Sequence, residues 1–563
     1  MNSSIFESRL LPLLFAGLLS SACMRAPVVG QVGPYDSGGP LMAEQAAYDV
    51  TYYDLALDVN PADSTIEGSV TVHARAGSPL EWFVLDLVPE LEVRAVSTVA
   101  SDIPDTLRFE RREGKLWIRL PHTYQPGEMI EVTVAYGGTP HVAVRAPWDG
   151  GFTWARTPSE LPWVATSCQG EGADIWWPVK DHVSDEPDSM DIRVTVPDPL
   201  VVASNGRLVE TSPTTDGRTT FHWHVSTPIN TYTVALNIAP YRVIKDEFLS
   251  VAGDTFPVLF YVLPEDYDKG LEFMDEIRAH LRFYEERLGP YPFRIDKYGV
   301  AQTPHLGMEH QSIIAYGANF SNVAMTPQID FGFDKLHHHE LSHEWWGNLV
   351  TNADWKDLWI HEGFGTYMQA LYAEELNGEN GYLHYLSSIR PMIRNRSAVA
   401  PYESVTVDEM GDRDVYFKGG WILHTLRYLI GDDAMNVSLR RMAYPTPEME
   451  AVTDGRQCRF ASTDDFIRIV EEVSGRDLAW FFDLYVRQPE LPELVVERDG
   501  PRLRLEWKTP NDMPFPMPVE VSFSGDTIAV DMTTGWAELQ VPDTVFAGTD
   551  PRLQILKKDV SPD

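Results

Sequence analysis

Positive charge is what this chain has least of. It carries 45 Lys and Arg against 83 Asp and Glu, a formal charge of −38 at pH 7. Nucleic-acid binding needs clustered Lys and Arg to displace phosphate counterions, so that class is excluded. The same charge suits a solvated extracytoplasmic surface and disfavours very acidic substrates. Cysteine is nearly absent as well. Three Cys in 563 residues exclude a disulfide framework. Cys168 and Cys458 either pair or stay free, and both are too isolated to serve as metal ligands. Long apolar runs are missing too. Residues 10–19 form an apolar stretch behind Arg9, too short to span a bilayer, and no later stretch is long enough.

That short run has the shape of a signal-peptide core. Ser20, Ser21 and Ala22 then lead to Cys23, a sequence that resembles a bacterial lipoprotein processing site, although Ser20 stands where such sites usually carry Leu. The expectation is a signal peptide over 1–22 and a lipid on Cys23 that tethers the protein to a bacterial cell envelope. Cleavage without lipidation and secretion is the alternative. Residues 23–46, rich in Gly and Pro, read as a flexible tether.

Beyond the tether the pattern divides into three. Residues 47–245 alternate in short β-branched and aromatic runs such as TIEGSVTVHARA, which predicts an all-β domain built as a saddle or sandwich. Residues 246–490 mix strands with helical periodicity. The stretch KGLEFMDEIRAHLRFYEERLG stops at Gly289-Pro290, and TDDFIRIVEEVSG opens on Ser462 and closes at Gly475. Residues 491–563 return to strands, RLQILKKD the last of them, predicting a small C-terminal β-sandwich. The fold class is thus multidomain α+β.

The chemistry concentrates in residues 333–367, FDKLHHHELSHEWWGNLVTNADWKDLWIHEGFGTY. His339-Glu340-Leu341-Ser342-His343 is an H-E-x-x-H pattern, expected on a helix running from near Asp330 to Trp346. A four-residue spacing puts both imidazoles on one helical face, suited to one tetrahedral metal ion. Glu340 is aimed near a metal-held water but away from ligation. Glu362, nineteen positions past His343, can supply a third ligand from a second helix and leave a fourth position open, as catalytic zinc sites do. A histidine-rich helix without a metal gives the same pattern, so the surrounding motifs decide.

Those motifs are Gly307-Met308-Glu309-His310 before the stretch, the flanks WWGN and WIHEGF within it, and Val415-Tyr416-Phe417-Lys418-Gly419 after it. Together they resemble the gluzincin aminopeptidases of the aminopeptidase N type, over about residues 48–490. The resemblance implies a thermolysin-like α/β catalytic domain holding one Zn²⁺ on His339, His343 and Glu362. It makes Glu340 the general base and acid, and Tyr416 the donor to the oxyanion. Glu309 becomes the group that binds the substrate's free α-amino end, with Gly307, Met308 and His310 around it. Gln169 and Glu171, on a Gly-containing loop, resemble the family's N-domain substrate loop and would complete the amine pocket. Two departures stand out: His310 replaces the motif's final Asn, and a small β domain is expected in place of the large C-terminal helical domain of many members, which would leave room for longer peptides. Asp357, and less so Glu344, are the acceptors expected behind the ligand imidazoles. The expected partners are peptides with a free N-terminus. A thermolysin-type endopeptidase and a non-catalytic binding protein of the same fold are the rival readings.

Overall fold

The computed structural model describes residues 36–98, 105–326, 329–410, 413–523, 526–541 and 546–558. The expected signal peptide, Cys23 and most of the tether lie outside the described residues. The N-terminal β domain contains an eight-stranded sheet in which Tyr48–Asn60 pairs in parallel with Ser189–Pro197 and antiparallel with Thr65–Ala76. Burial along Tyr48–Asn60 alternates almost residue by residue, the signature of a strand with one face in the core. Smaller three- and four-stranded sheets accompany it. The four-stranded one pairs Pro162–Ser167 with Gly151–Arg156, and Pro162–Ser167 runs directly into the Gln169 loop.

The boundary expected between residues 245 and 246 falls inside a strand. Arg242–Leu249 pairs along its whole length with Thr255–Val262, inside a five-stranded sheet that also holds Tyr298–Gln302, Ile314–Tyr316 and Gly307–Met308. Alternation alone could not place that boundary, because the strands on both sides share one period. Helices follow: Tyr267–Leu288, Lys335–Ser342, Trp359–Ile389 and Asp414–Ile430. The third is broken at Gly378 (φ 65°, ψ −164°), a backbone conformation that favours glycine. Thr463–Ser474 is closed by a capping box between Ser462 and Asp465 and by a left-handed Gly475. The helices bearing Glu362 and Tyr416 meet at two glycines. A Cβ on Gly363 would lie 3.0 Å from the Gly419 Cα, so their backbones approach where no side chain fits.

Two three-stranded sheets make the C-terminal sandwich. Residues 552–558, the described part of RLQILKKD, form none of its strands. They lie against the catalytic domain instead: Leu556 N–H donates to Thr425 Oγ1 (3.0 Å), Tyr485 O–H donates to the Leu556 carbonyl (2.7 Å), and His424 Nε2 meets the Leu553 carbonyl (3.0 Å). Residues 36–46, read as flexible, are also docked. Ser37 and Gln45 are buried, and Gln45 Nε2 donates to Asp86 at 2.5 Å. Among the described residues no helix is long and apolar enough to cross a membrane.

Candidate active site

All eight residues of Lys335–Ser342 are buried, although five of them are Lys, His or Glu. Several of these polar groups find partners, which makes their burial tolerable. Asp334 caps the helix, its carboxylate accepting the His337 N–H (3.0 Å) and the Tyr316 O–H (2.6 Å). His337 sits between His280 Nδ1 (2.8 Å) and the Tyr298 hydroxyl (2.9 Å), and His338 Nδ1 meets the Tyr284 hydroxyl (2.9 Å). These contacts leave His339 and Glu340 for the opposite face. The regular helix ends at Ser342 rather than Trp346, because the chain widens there: Asn348 N–H reaches back to the His343 carbonyl (2.9 Å).

His339, His343 and Glu362 form a tight triangle. The two Nε2 atoms are 3.4 Å apart, and Glu362 Oε2 lies 3.3 Å from one and 3.6 Å from the other. Ligand bonds of about 2.0–2.2 Å in a tetrahedron give edges of about 3.3–3.6 Å, so the triangle fits one zinc ion. Glu362 Oε2 is buried without a hydrogen-bond donor, an arrangement that a cation satisfies. Burial holds the His339 imidazole neutral, its pKa lowered to about 4, as ligation requires. His343 Nδ1–H donates to the Trp346 carbonyl (2.9 Å), which fixes Nε2 as the ligand atom. Asp357 does not take that role. Its Oδ1 accepts from Thr463 N–H (3.0 Å) and Thr463 Oγ1 (2.5 Å), so it anchors the Thr463–Ser474 helix. Glu344 Oε1 accepts the Ser312 amide (2.8 Å).

Glu340 is buried beside the triangle, and carboxylate oxygens of Glu309 and Glu340 lie with a His343 nitrogen inside a 4.8 Å group. Burial, then the neighbouring Glu309 and Glu362, hold the Glu340 pKa well above the ordinary carboxylate value. Tyr416 is half-buried, its ring stacked near His339 (6.1 Å between centroids) and its hydroxyl hydrogen-bonded to Glu362. Glu309 follows the Gly307–Met308 strand, and Asn348 Nδ2 donates to its carbonyl (3.1 Å). Its Oε1 receives Gln169 Nε2 at 2.6 Å and the Tyr232 hydroxyl at 3.3 Å. Gln169 also reaches Glu362 Oε1 (3.4 Å). Burial lifts the Glu309 pKa to about 7.

Glu171 turns the other way, accepting the Gly150 amide, and burial raises it to about 7. His310 is fully buried with both ring nitrogens unpartnered, and burial depresses its pKa to about 3. Met308 is buried in the strand. Cys168 and Cys458 are free thiols, and Trp176 Nε1 donates to the Cys168 sulfur (3.2 Å). Sequence reasoning missed Tyr232. It sits in a 3-10 turn capped by Asn230, inside what reads as continuous strand, and 77 positions separate it from Glu309. No local pattern marks such a contact.

A helix-borne His-Glu-x-x-His, a third carboxylate from the following helix and an all-β domain whose loop enters the site are together the architecture of the gluzincin metallopeptidases. Residues 272–485 match the peptidase family M1 domain and residues 50–233 the peptidase M1 N-terminal domain. The chain belongs to peptidase family M1. Human endoplasmic reticulum aminopeptidase 1 is 23% identical over 431 residues, 72% of this chain and 44% of that protein. Leucine aminopeptidase 2 of Neosartorya fischeri is 27% identical over 60% of this chain and 48% of its own length. The chain spans from 33% to 56% of the curated relatives it matches. By contrast, the crystal structure of an M1 zinc metallopeptidase from Deinococcus radiodurans is covered over 98% of its length and 82% of this chain, at 26% identity and a TM-score of 0.64. A variant of that enzyme bound to a Tyr-Ser-Ala substrate is 25% identical, also with a TM-score of 0.64.

Proposed function

We propose that this chain is a zinc-dependent aminopeptidase that hydrolyses the first peptide bond of peptides with a free N-terminus. The observation that carries the reading is the charge count of the buried site. Glu309, Glu340 and Glu362 stand within a few ångströms of one another, and three carboxylates out of water need compensating cations. One zinc dication and one substrate ammonium supply that charge. An internal peptide bond brings no ammonium, which disfavours the endopeptidase reading. Retention of the whole ligand and base set disfavours the non-catalytic one.

His339, His343 and Glu362 would hold the zinc, which when bound polarises a carbonyl and lowers the pKa of a water towards about 7. Glu340 takes the proton of the attacking water and returns it to the leaving amine. Tyr416 exchanges its bond to Glu362 for one to the developing oxyanion. Glu309, held by Gln169 and Tyr232, receives the α-ammonium in a charge-assisted bond and sets the register of cleavage. The tripeptide complex of the Deinococcus neighbour supports peptides as the substrate class. Replacing Glu309 by Gln keeps the shape and removes the charge. A hydrogen bond to a charged group contributes about 1.5–3 kcal/mol, so Glu309→Gln should cost about 10–100-fold in kcat/KM on a free-amine reporter; an unchanged kcat/KM would remove Glu309 from amine binding.

For the cell envelope we propose lipidation of Cys23, supported by the apolar stretch at residues 10–19 and the small residues before it. Mass spectrometry of the mature N-terminus tests it, and an unmodified terminus at Cys23 counts against it.

A further inference from the structure

Residues 36–39 lie between the Gln169 loop, which enters the amine pocket, and residues 405–408. On one side Ser37 N–H donates to the Gly170 carbonyl (3.2 Å). On the other, Val407 N–H donates to the Ser37 carbonyl (3.0 Å), Gly39 N–H donates to the Val405 carbonyl (3.1 Å), and Gly38 bridges Thr406. Asp408 N–H donates to the Asp36 carboxylate (3.2 Å), and His182 Nε2 meets the Gly39 carbonyl (3.0 Å). Ser37 and Gly39 are buried. This is a strap sewn by backbone hydrogen bonds to the substrate loop and to the catalytic domain at once.

Two chains of contact lead inward from it. Gly170 is the neighbour of Gln169, whose amide donates to Glu309 Oε1. Gly38 lies on the indole of Trp355, so close that a Cβ would stand 2.1 Å from Cδ1. Trp355 in turn packs on Tyr232 (5.4 Å between ring centroids), and the Tyr232 hydroxyl donates to the same Oε1. Both donors that orient the Glu309 carboxylate therefore rest, at one remove, on the strap. Its φ of +91° and the missing Cβ make glycine the residue that fits position 38.

We infer that residues 36–39 are a positioning element for the amine pocket: they hold Gln169 and Tyr232 on Glu309 from outside the site and so set the affinity for a free N-terminus. The inference rests on the aminopeptidase reading. The strap touches neither the zinc ligands nor Glu340, and Gln169 lies closer to Glu309 (2.6 Å) than to Glu362 (3.4 Å), so its loss acts first on substrate binding rather than on the chemical step. Gly170 and Trp355 belong to different domains, which explains why one four-residue segment governs both donors.

The test uses the full chain loaded with zinc. Gly38→Val drives a side chain into Trp355, and Ser37→Pro removes the donor to Gly170 and sets the ring Cδ against that carbonyl in its place. Gly127→Val is the control: its φ is also +91°, with nothing within 4 Å of the added Cβ, so it carries the strain without the contact. On a free-amine dipeptide reporter, KM should rise about tenfold or more in both strap variants, with kcat within about threefold and the control unchanged. Hydrogen exchange, which needs no activity, should quicken over residues 166–172 and 230–234 in the strap variants. Unchanged KM, unchanged exchange or loss of bound zinc each overturns the inference. Failure of the aminopeptidase reading would show differently, as equal cleavage of free and N-acetylated peptides by the unsubstituted protein.

Discussion

Gly307→Ala tests how the general base is held. A Cβ at position 307 would stand 2.6 Å from Glu340 Oε1 and 2.6 Å from Leu336 Cδ1. Ordinary contact begins at 3.4 Å, so Glu340 must yield by about 0.8 Å unless the backbone moves. The backbone is held: Gly307 pairs with Tyr316, and the Gly317 N–H donates to the Leu306 carbonyl at 2.6 Å. Leu336 can rotate its terminal methyl aside, whereas Glu340 has the carboxylates of Glu309 and Glu362 beside it and little room to retreat. A displacement near 1 Å of a positioned catalytic group costs about 100-fold, so kcat should fall about 10–100-fold, or about 1.4–2.7 kcal/mol of barrier. His339, His343 and Glu362 do not touch Gly307, and zinc content should stay at one per chain. Steady-state kinetics and atomic absorption on the same preparation read both quantities. Undiminished kcat would refute the idea that the glycine clears space for Glu340, and lost zinc would show that the strand shifts as a whole.

Two further outcomes follow from the geometry. Tyr416→Phe should lower kcat about 100–1,000-fold with KM and zinc content little changed, because one oxyanion donor is worth about 2.7–4 kcal/mol; a fall confined to KM would assign Tyr416 to binding instead. His424 is buried against the Leu553 carbonyl, and burial lowers its pKa to about 4. The unfolded chain, at the ordinary value near 6.5, binds the proton first, so this group's contribution is present above pH 6.5 and is lost as the pH falls towards 4. The loss is about 3 kcal/mol in all. His424→Gln should flatten the pH dependence of denaturant-induced unfolding over that window by about this amount, and an unchanged slope would contradict the assignment.

The parts legible in the sequence are those whose chemistry is local. His339, Glu340 and His343 share one helical turn, and Glu362 was read onto a second helix, so the structure brings together residues that spacing and motif had already grouped. Ser462, Asp465 and Gly475 announced their helix for the same reason. What stayed hidden depends on pairing across distance. Tyr232 reaches Glu309 only because a 3-10 turn interrupts a stretch of strand-like residues. Asp357, acidic and near the site in sequence, was drawn to Thr463, while a main-chain carbonyl at Trp346, invisible to composition, took the His343 proton. Residues 36–39 have the small-residue composition of a linker, and nothing local distinguishes a linker from a strap held by backbone hydrogen bonds. RLQILKKD has strand propensity, but its backbone bonds to Thr425, Tyr485 and His424 on the catalytic domain, and the Arg552 side chain reaches a strand, at Glu520.

The central claim is that the carboxylate of Glu309 waits for an ammonium. The most direct measurement compares zinc-loaded protein on one short peptide in two forms, with a free N-terminus and with an acetylated one. Cleavage of the first bond in the free form, with kcat/KM at least about 100-fold lower for the acetylated form, is the result the account predicts. Equal rates on the two forms would contradict it.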